Sequence, residues 1–143
     1  MTTLAARKPR EFFIGDIEDY PVIAADTIFE GAAVGENGAG YSRPLQAGDP
    51  FQGFAVEGTV DNSDGAAGDK NVRVRTRGRI ELPVAGATTI AANDRPAVYA
   101  SDDDTFTLTA STNSLIGYVS RWISSGVAVV EFDAMTAKAA LQA

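Results

Sequence analysis

Residues 71–82 read NVRVRTRGRIEL, and how this stretch folds decides the architecture. Val72, Val74, Thr76, Gly78, Ile80 and Leu82 fall on one side of an extended chain, with Asn71, Arg73, Arg75, Arg77, Arg79 and Glu81 on the other. Strand side chains alternate between faces, so this period of two predicts one half-buried β-strand. Its polar side is a ladder of four arginines, about 6.5–7 Å apart. Such a ladder either docks on an acidic surface of a neighbouring subunit or another protein, or is a solvated face whose guanidiniums pair with carboxylates on adjacent strands. Four like charges in a row repel unless something answers them, and both readings supply an answer. A nucleic-acid stripe would interleave aromatic side chains for base stacking, and this one has none.

Outward from residue 71 the chain keeps the same strand-and-turn character. Upstream lie the apolar runs YPVIAA (20–25) and TIFEGAAV (27–34), the glycine turn GENGAG (35–40), and YSRPL (41–45). FQGFAVEGTV (51–60) and the polar loop DNSDGAAGDK (61–70) follow. Downstream, strands are expected at PAVYA (96–100), TFTLT (105–109), SLIGYVSRWI (114–123) and VAVVEF (127–132), the last two joined at Ser124-Ser125-Gly126. The tail DAMTAKAALQA (133–143) suits a short helix, because Ala and Leu favour one. No segment repeats apolar residues at helical spacing over three or four turns. The expected fold is all-β: a small β-sandwich or β-barrel of hairpins, one domain over 20–143, entered through an extended N-terminal arm over 1–19 and followed by the short helix.

The hairpins fall into two loosely repeated modules. GAAVGENGAGYSRPL (31–45) can be laid over RPAVYASDDDTFTLT (95–109), matching Ala32-Ala33-Val34 to Ala97-Val98-Tyr99 and Tyr41 to Phe106, an offset of 65. Phe51-Gln52-Gly53-Phe54-Ala55-Val56 then matches Leu115-Ile116-Gly117-Tyr118-Val119 one residue closer, and 68–74 matches 126–129. This plan places Asp102, Asp103 and Asp104 where GENGAG stands, at a hairpin tip. Aspartate favours such a tip because its carboxylate bonds nearby backbone N–H groups. A calcium loop would space its oxygens at alternate positions and end in a bidentate glutamate, and none follows. The triplet reads as a turn.

Composition narrows the function. At 143 residues and 45% hydrophobic, the chain can bury a core of its own as one domain, and with no cysteine it does so without disulfides. The net charge of −7 argues against general nucleic-acid binding. That charge is lopsided: residues 1–69 hold 12 acidic and 4 basic side chains, residues 70–143 hold 7 and 8, an asymmetry suited to oriented association. The apolar runs are too short to span a bilayer, and MTTLAARKPREFF lacks the apolar core of a secretory signal. Histidine is absent, and the only lysines are Lys8, Lys70 and Lys138. No G-x-S-x-G elbow, P-loop, or G-x-G-x-x-G opening a helix is present. No catalytic, metal or cofactor residue is therefore assigned, and the chain is read as no enzyme. A carboxylate-based hydrolase is the weakest alternative, and would need Asp and Glu converging in a cleft.

Two further features point outward. The arm mixes Arg7, Lys8 and Arg10 with Phe12, Phe13 and Ile14, which are too apolar for a free tail and are expected to dock on the domain or a neighbour. Trp122 is the lone tryptophan; simple alternation puts it on the face of Tyr118 and Ser120, opposite Val119, Arg121 and Ile123. Core anchor and subunit contact are both open to it, with a partly buried interface position expected.

The run Pro96-Ala97-Val98-Tyr99, a polar turn at Asp102-Asp103-Asp104, TFTLT (105–109), Asn113-Ser114-Leu115-Ile116-Gly117 and GVAVV (126–130) resembles the small capsid decoration (cement) proteins of tailed bacteriophages. The likeness covers roughly residues 20–133, with the segment from Gly31 to Val34 opening the first copy of the same module. It implies a homotrimer that binds the outside of an expanded phage head, with the major capsid protein as partner, and no cofactor, nucleic acid or membrane. Its place would be the outer capsid surface of the virion, after synthesis in the host cytoplasm. An N-terminal arm orders on the shell in several such families, which suits residues 7–14. Capsid- or subunit-interface candidates are Arg7, Lys8, Arg10, Phe12, Phe13, Arg73, Arg75, Arg77, Arg79 and Trp122. The alternative is a β-sandwich module of a phage tail, fibre or cell-surface appendage that recognises carbohydrate or protein.

Overall fold

The computed structural model describes residues 5–11, 13 and 15–142; Phe12 and Ile14, expected in the docking arm, lie outside them. Within NVRVRTRGRIEL the alternation of exposed and inward side chains holds from end to end, yet the stretch is two strands. β7 (Asn71–Arg75) pairs with β1 (Ile17–Pro21) and β5 (Phe51–Ala55), whereas β8 (Arg77–Pro83) pairs with β12 (Val127–Asp133) in a different sheet. The single strand expected from the sequence is thus corrected at Thr76. Period two reports which face is buried and is blind to which strand supplies the hydrogen bonds. The corner is fixed by its backbone: Thr76 N–H donates to the carbonyl of Asp16, and its carbonyl accepts from Ala134 N–H, both at 2.9 Å.

The remaining strands are β2 (Asp26–Ile28), β3 (Ala33–Glu36), β4 (Ser42–Pro44), β6 (Val60–Asn62), β9 (Ala97–Asp102), β10 (Thr105–Thr107) and β11 (Ser114–Ser124). A 3-10 turn spans Ile90–Asp94, and one helix, α1 (Ala134–Gln142), follows β12. The fold is all-β with this short C-terminal helix, as expected. β1 takes its first three residues from the stretch assigned to the arm, so the sheet begins at Ile17.

The two halves share one plan. The first sheet runs β1-β7-β5-β3-β4, and the second, read from its other edge, β8-β12-β11-β9-β10. Each is built from five strands taken in the same chain order and paired antiparallel. After the opening strand, Val22 bridges Ser42 and Ala85 bridges Thr107, both parallel. A single bridge is not a ladder, so each sheet curls without closing as a barrel.

The pairing also corrects the sequence alignment. Val34 opposes Gly53 and Val98 opposes Gly117, while Glu36 opposes Ser42 and Ala100 opposes Phe106. Val34 therefore corresponds to Val98 rather than Tyr99, and Ser42 rather than Tyr41 to Phe106. A one-residue slip exchanges the faces of a strand, and the true register keeps both valines inside. In each half the residue before the glycine is a bulge, Gln52 in β5 and Ile116 in β11.

Two cores result. Val22, Ile28, Val34, Ala55, Val72 and Val74 fill the first half, under the small β2–β6 sheet. Val84, Val98, Ile116, Val119, Val130 and their neighbours fill the second, and this core continues into Ala33, Leu45, Phe51 and Phe54 of the first half. Phe54 meets Phe132 edge-to-face, ring centroids 4.9 Å apart, with Phe51 and Phe106 alongside. This aromatic cluster fastens one half to the other. Edge-to-face pairs contribute about 0.5–1.5 kcal/mol each beyond the area they bury.

Candidate functional site

The arginines of residues 73–79 are brought to the outside of the corner, and three of them are answered within the chain. Arg73 donates to Asp19 at 2.9 Å and to Glu57 at 3.1 Å, Arg75 to Asp16 at 3.1 Å, and Arg79 to Glu131 at 3.1 Å. Asp19 reaches Arg73 because β1 and β7 set them directly opposite, and β8 and β12 do the same for Arg79 and Glu131. Hydrogen bonding to Arg73 holds the Asp19 carboxyl below its ordinary range. All these groups keep solvent contact, so water and salt screen the pairs and each adds little to stability. Arg77 makes no ion pair among the described residues. It lines a groove of about 380 Å³ with Asp16, Arg75, Arg79, Glu131 and Asp133, in the wedge where the two sheets part.

Of the arm, Arg7, Lys8, Arg10 and Phe13 are exposed, Phe13 by 82%. Phe12 lies outside the described residues. Trp122 differs from the sequence expectation. The register shifts between Val119 and Arg121, so Ser120 is an extra residue and the faces exchange after it. Trp122 then opposes buried Ala128, on the core side and away from Tyr118. It packs against the second core, half-buried, and its indole N–H donates to the carbonyl of Ala87 at 3.0 Å.

The aspartate triplet forms the tip of the β9–β10 hairpin, where Asp104 N–H donates to the Asp102 carboxylate at 2.9 Å. GENGAG does the same work between β3 and β4: Glu36 accepts from Gly38 and Gly40, and Asn37 from Ala39 and Tyr41. The sequence did not show what the tip rests on. The carbonyl of Asp103 accepts from Ala33 N–H at 2.9 Å, which brings the tip against the turn at 29–32. Between them opens a cleft of about 500 Å³ lined by Phe29, Glu30, Gly31, Ala32, Asp103 and Asp104. Burial raises the Asp103 carboxyl above its ordinary value, reinforced by the charges of Asp102 and Asp104. The loop at 61–70 behaves oppositely. Asp61 is pulled down to about 2 by hydrogen bonds from Ser63 and Thr27, with Lys70 adding its charge.

One ion pair escaped the sequence reading. Arg43 in β4 grips the buried Asp49 with two hydrogen bonds of 2.7 and 3.0 Å, and Gln46 N–H completes the carboxylate's partners. The two residues are close in sequence, but only the return of the chain beside β4 aims them at each other.

Among the described residues no three Asp, Glu, His or Cys gather as ligands for an ion, and no helix is long and apolar enough to cross a membrane. No known protein family matches the chain, and no curated protein is similar to it.

Proposed function

We propose that this chain is a structural virion protein that binds the outer surface of an expanded phage capsid and stabilises it by clamping neighbouring capsomers, as a homotrimer. The observation that carries this reading is the doubled sheet. Two like-ordered five-stranded sheets share one aromatic core, and the arginine corner at 73–79 faces outward from where they meet. Such a body resists distortion because its halves cannot shear without breaking the Phe51–Phe54–Phe106–Phe132 cluster. Rigidity with outward-facing contacts is what a clamp requires, and three weak contacts on one trimer act together through avidity. The residues that carry the resemblance supply the hairpin of the second sheet, from Ala97 through β10 and β11 to β12.

The test is cosedimentation with purified expanded heads and, in parallel, with unexpanded ones. Saturable binding to expanded heads that raises their resistance to heat is the expected result. Retention on a glycan array with no head binding would replace this reading with the tail or appendage module.

A further inference from the structure

The cleft beside the aspartate tip has charge and apolar surface that nothing in its own lining answers. Glu30, Asp103 and Asp104 line it with no basic residue among them, and Phe29 at its rim is 63% exposed. Its walls are fixed: Gly31 N–H donates to the carbonyl of Ala55 at 2.9 Å, and Ala33 N–H holds Asp103. Elsewhere the same chain presents the complement. Arg7, Lys8 and Arg10 make no ion pair among the described residues, and Phe13 stands in solvent a few residues on.

Arm and cleft also sit apart in the fold. The arm leaves from edge strand β1, whereas the turn at 29–32 feeds β3, with β7 and β5 between them. Two complementary patches at separate places on one molecule make a head-to-tail contact, and head-to-tail contacts close into rings when the rotation permits.

We propose that the cleft between the turn at 29–32 and the tip at 102–104 receives the N-terminal arm of a second copy of this chain. Arg7, Lys8 and Arg10 are set against Glu30, Asp103 and Asp104, and Phe13 covers Phe29. The guanidiniums relieve the half-buried Asp103, whose charge is disfavoured in the single chain by burial and by its neighbours. The inference deepens the trimeric part of the reading above and rests on it for copy number alone.

Sedimentation velocity tests it on the full chain, on a chain lacking residues 1–13, and on three charge variants. These are Glu30→Lys with Asp104→Lys in the cleft, Arg7→Glu with Lys8→Glu and Arg10→Glu in the arm, and all five together, each checked for an unchanged melting profile. The full chain self-associates, more weakly as salt rises. The deletion and each single-sided reversal weaken self-association at least about tenfold, and the five-fold variant recovers it. A second measurement guards against a variant that does not fold: a peptide of residues 5–13 binds the arm-deleted chain and not its Glu30→Lys, Asp104→Lys form. A full chain that stays monomeric, an arm-deleted chain that still assembles, or a peptide indifferent to the cleft substitutions overturns the inference. No capsid enters these measurements, so their failure leaves the shell reading standing, and failure to bind heads leaves this inference standing.

Discussion

Gly53 and Gly117 occupy the same place in the two halves, each directly after a bulge, and each lets the next strand's backbone approach more closely than any side chain would allow. A Cβ on Gly53 would lie 2.2 Å from the carbonyl oxygen of Arg75, and one on Gly117 2.0 Å from that of Glu131. Neither oxygen can yield, since both belong to paired strands. Gly53→Ala and Gly117→Ala are each expected to lower stability by about 1–3 kcal/mol or more, read as the midpoint of urea unfolding. Gly15→Ala is the control: there a Cβ meets only the end of the Arg77 side chain at 3.7 Å, and the midpoint stays put. Equal midpoints for all three would mean that the neighbouring strands are not this close. The glycine-aromatic signature was legible in both halves as a repeat. Its cause was not, because the clashing carbonyls lie more than a dozen residues away in sequence.

At the scale of elements, β7 and β8 hold the functional question. Their arginines are drawn in one row by the sequence, but the corner at Thr76 assigns two to each sheet. Arg75→Glu would face Asp16 in the turn just before β1, and Arg77→Glu removes a cation that no described carboxylate holds. The loss to the monomer is that of one exposed ion pair, about 1 kcal/mol or less, so the double variant remains folded. Assembly or binding to heads is expected to weaken, measured by sedimentation and cosedimentation. If both persist at wild-type strength, the row is a solvated face that Asp16, Asp19, Glu57 and Glu131 already satisfy. The pairing could be guessed from the excess of acid upstream of residue 70, but not its partners, which are set by register. Trp122 makes the same point: one extra residue, Ser120, moves it from the outer face to the core, and nothing in YVSRWI marks the bulge.

Over the whole molecule, the two halves share a core through Phe51, Phe54, Phe106 and Phe132. Truncating the central ring by Phe54→Ala leaves a cavity between the sheets and is expected to destabilise the fold by about 3–5 kcal/mol. Because the Phe54 ring touches both halves, thermal unfolding of the unsubstituted chain is expected to be a single transition, seen alike by tryptophan fluorescence from the second half and by tyrosine absorbance. Two separated transitions would show that the sheets fold as independent units.

The sequence by itself determined what is local: the alternation along residues 71–82, the turns at 35–40 and 102–104, the short terminal helix, and the outline of a plan used twice. These follow from side-chain direction and turn chemistry, which a few consecutive residues fix. Only the tertiary structure decided that residues 71–82 serve two sheets, that Arg43 closes on Asp49, and that the aspartate tip is held beside the turn at 29–32 to open an acidic cleft. Each of those depends on which distant strand supplies hydrogen bonds, and a periodic pattern of burial reads the same whichever strand that is.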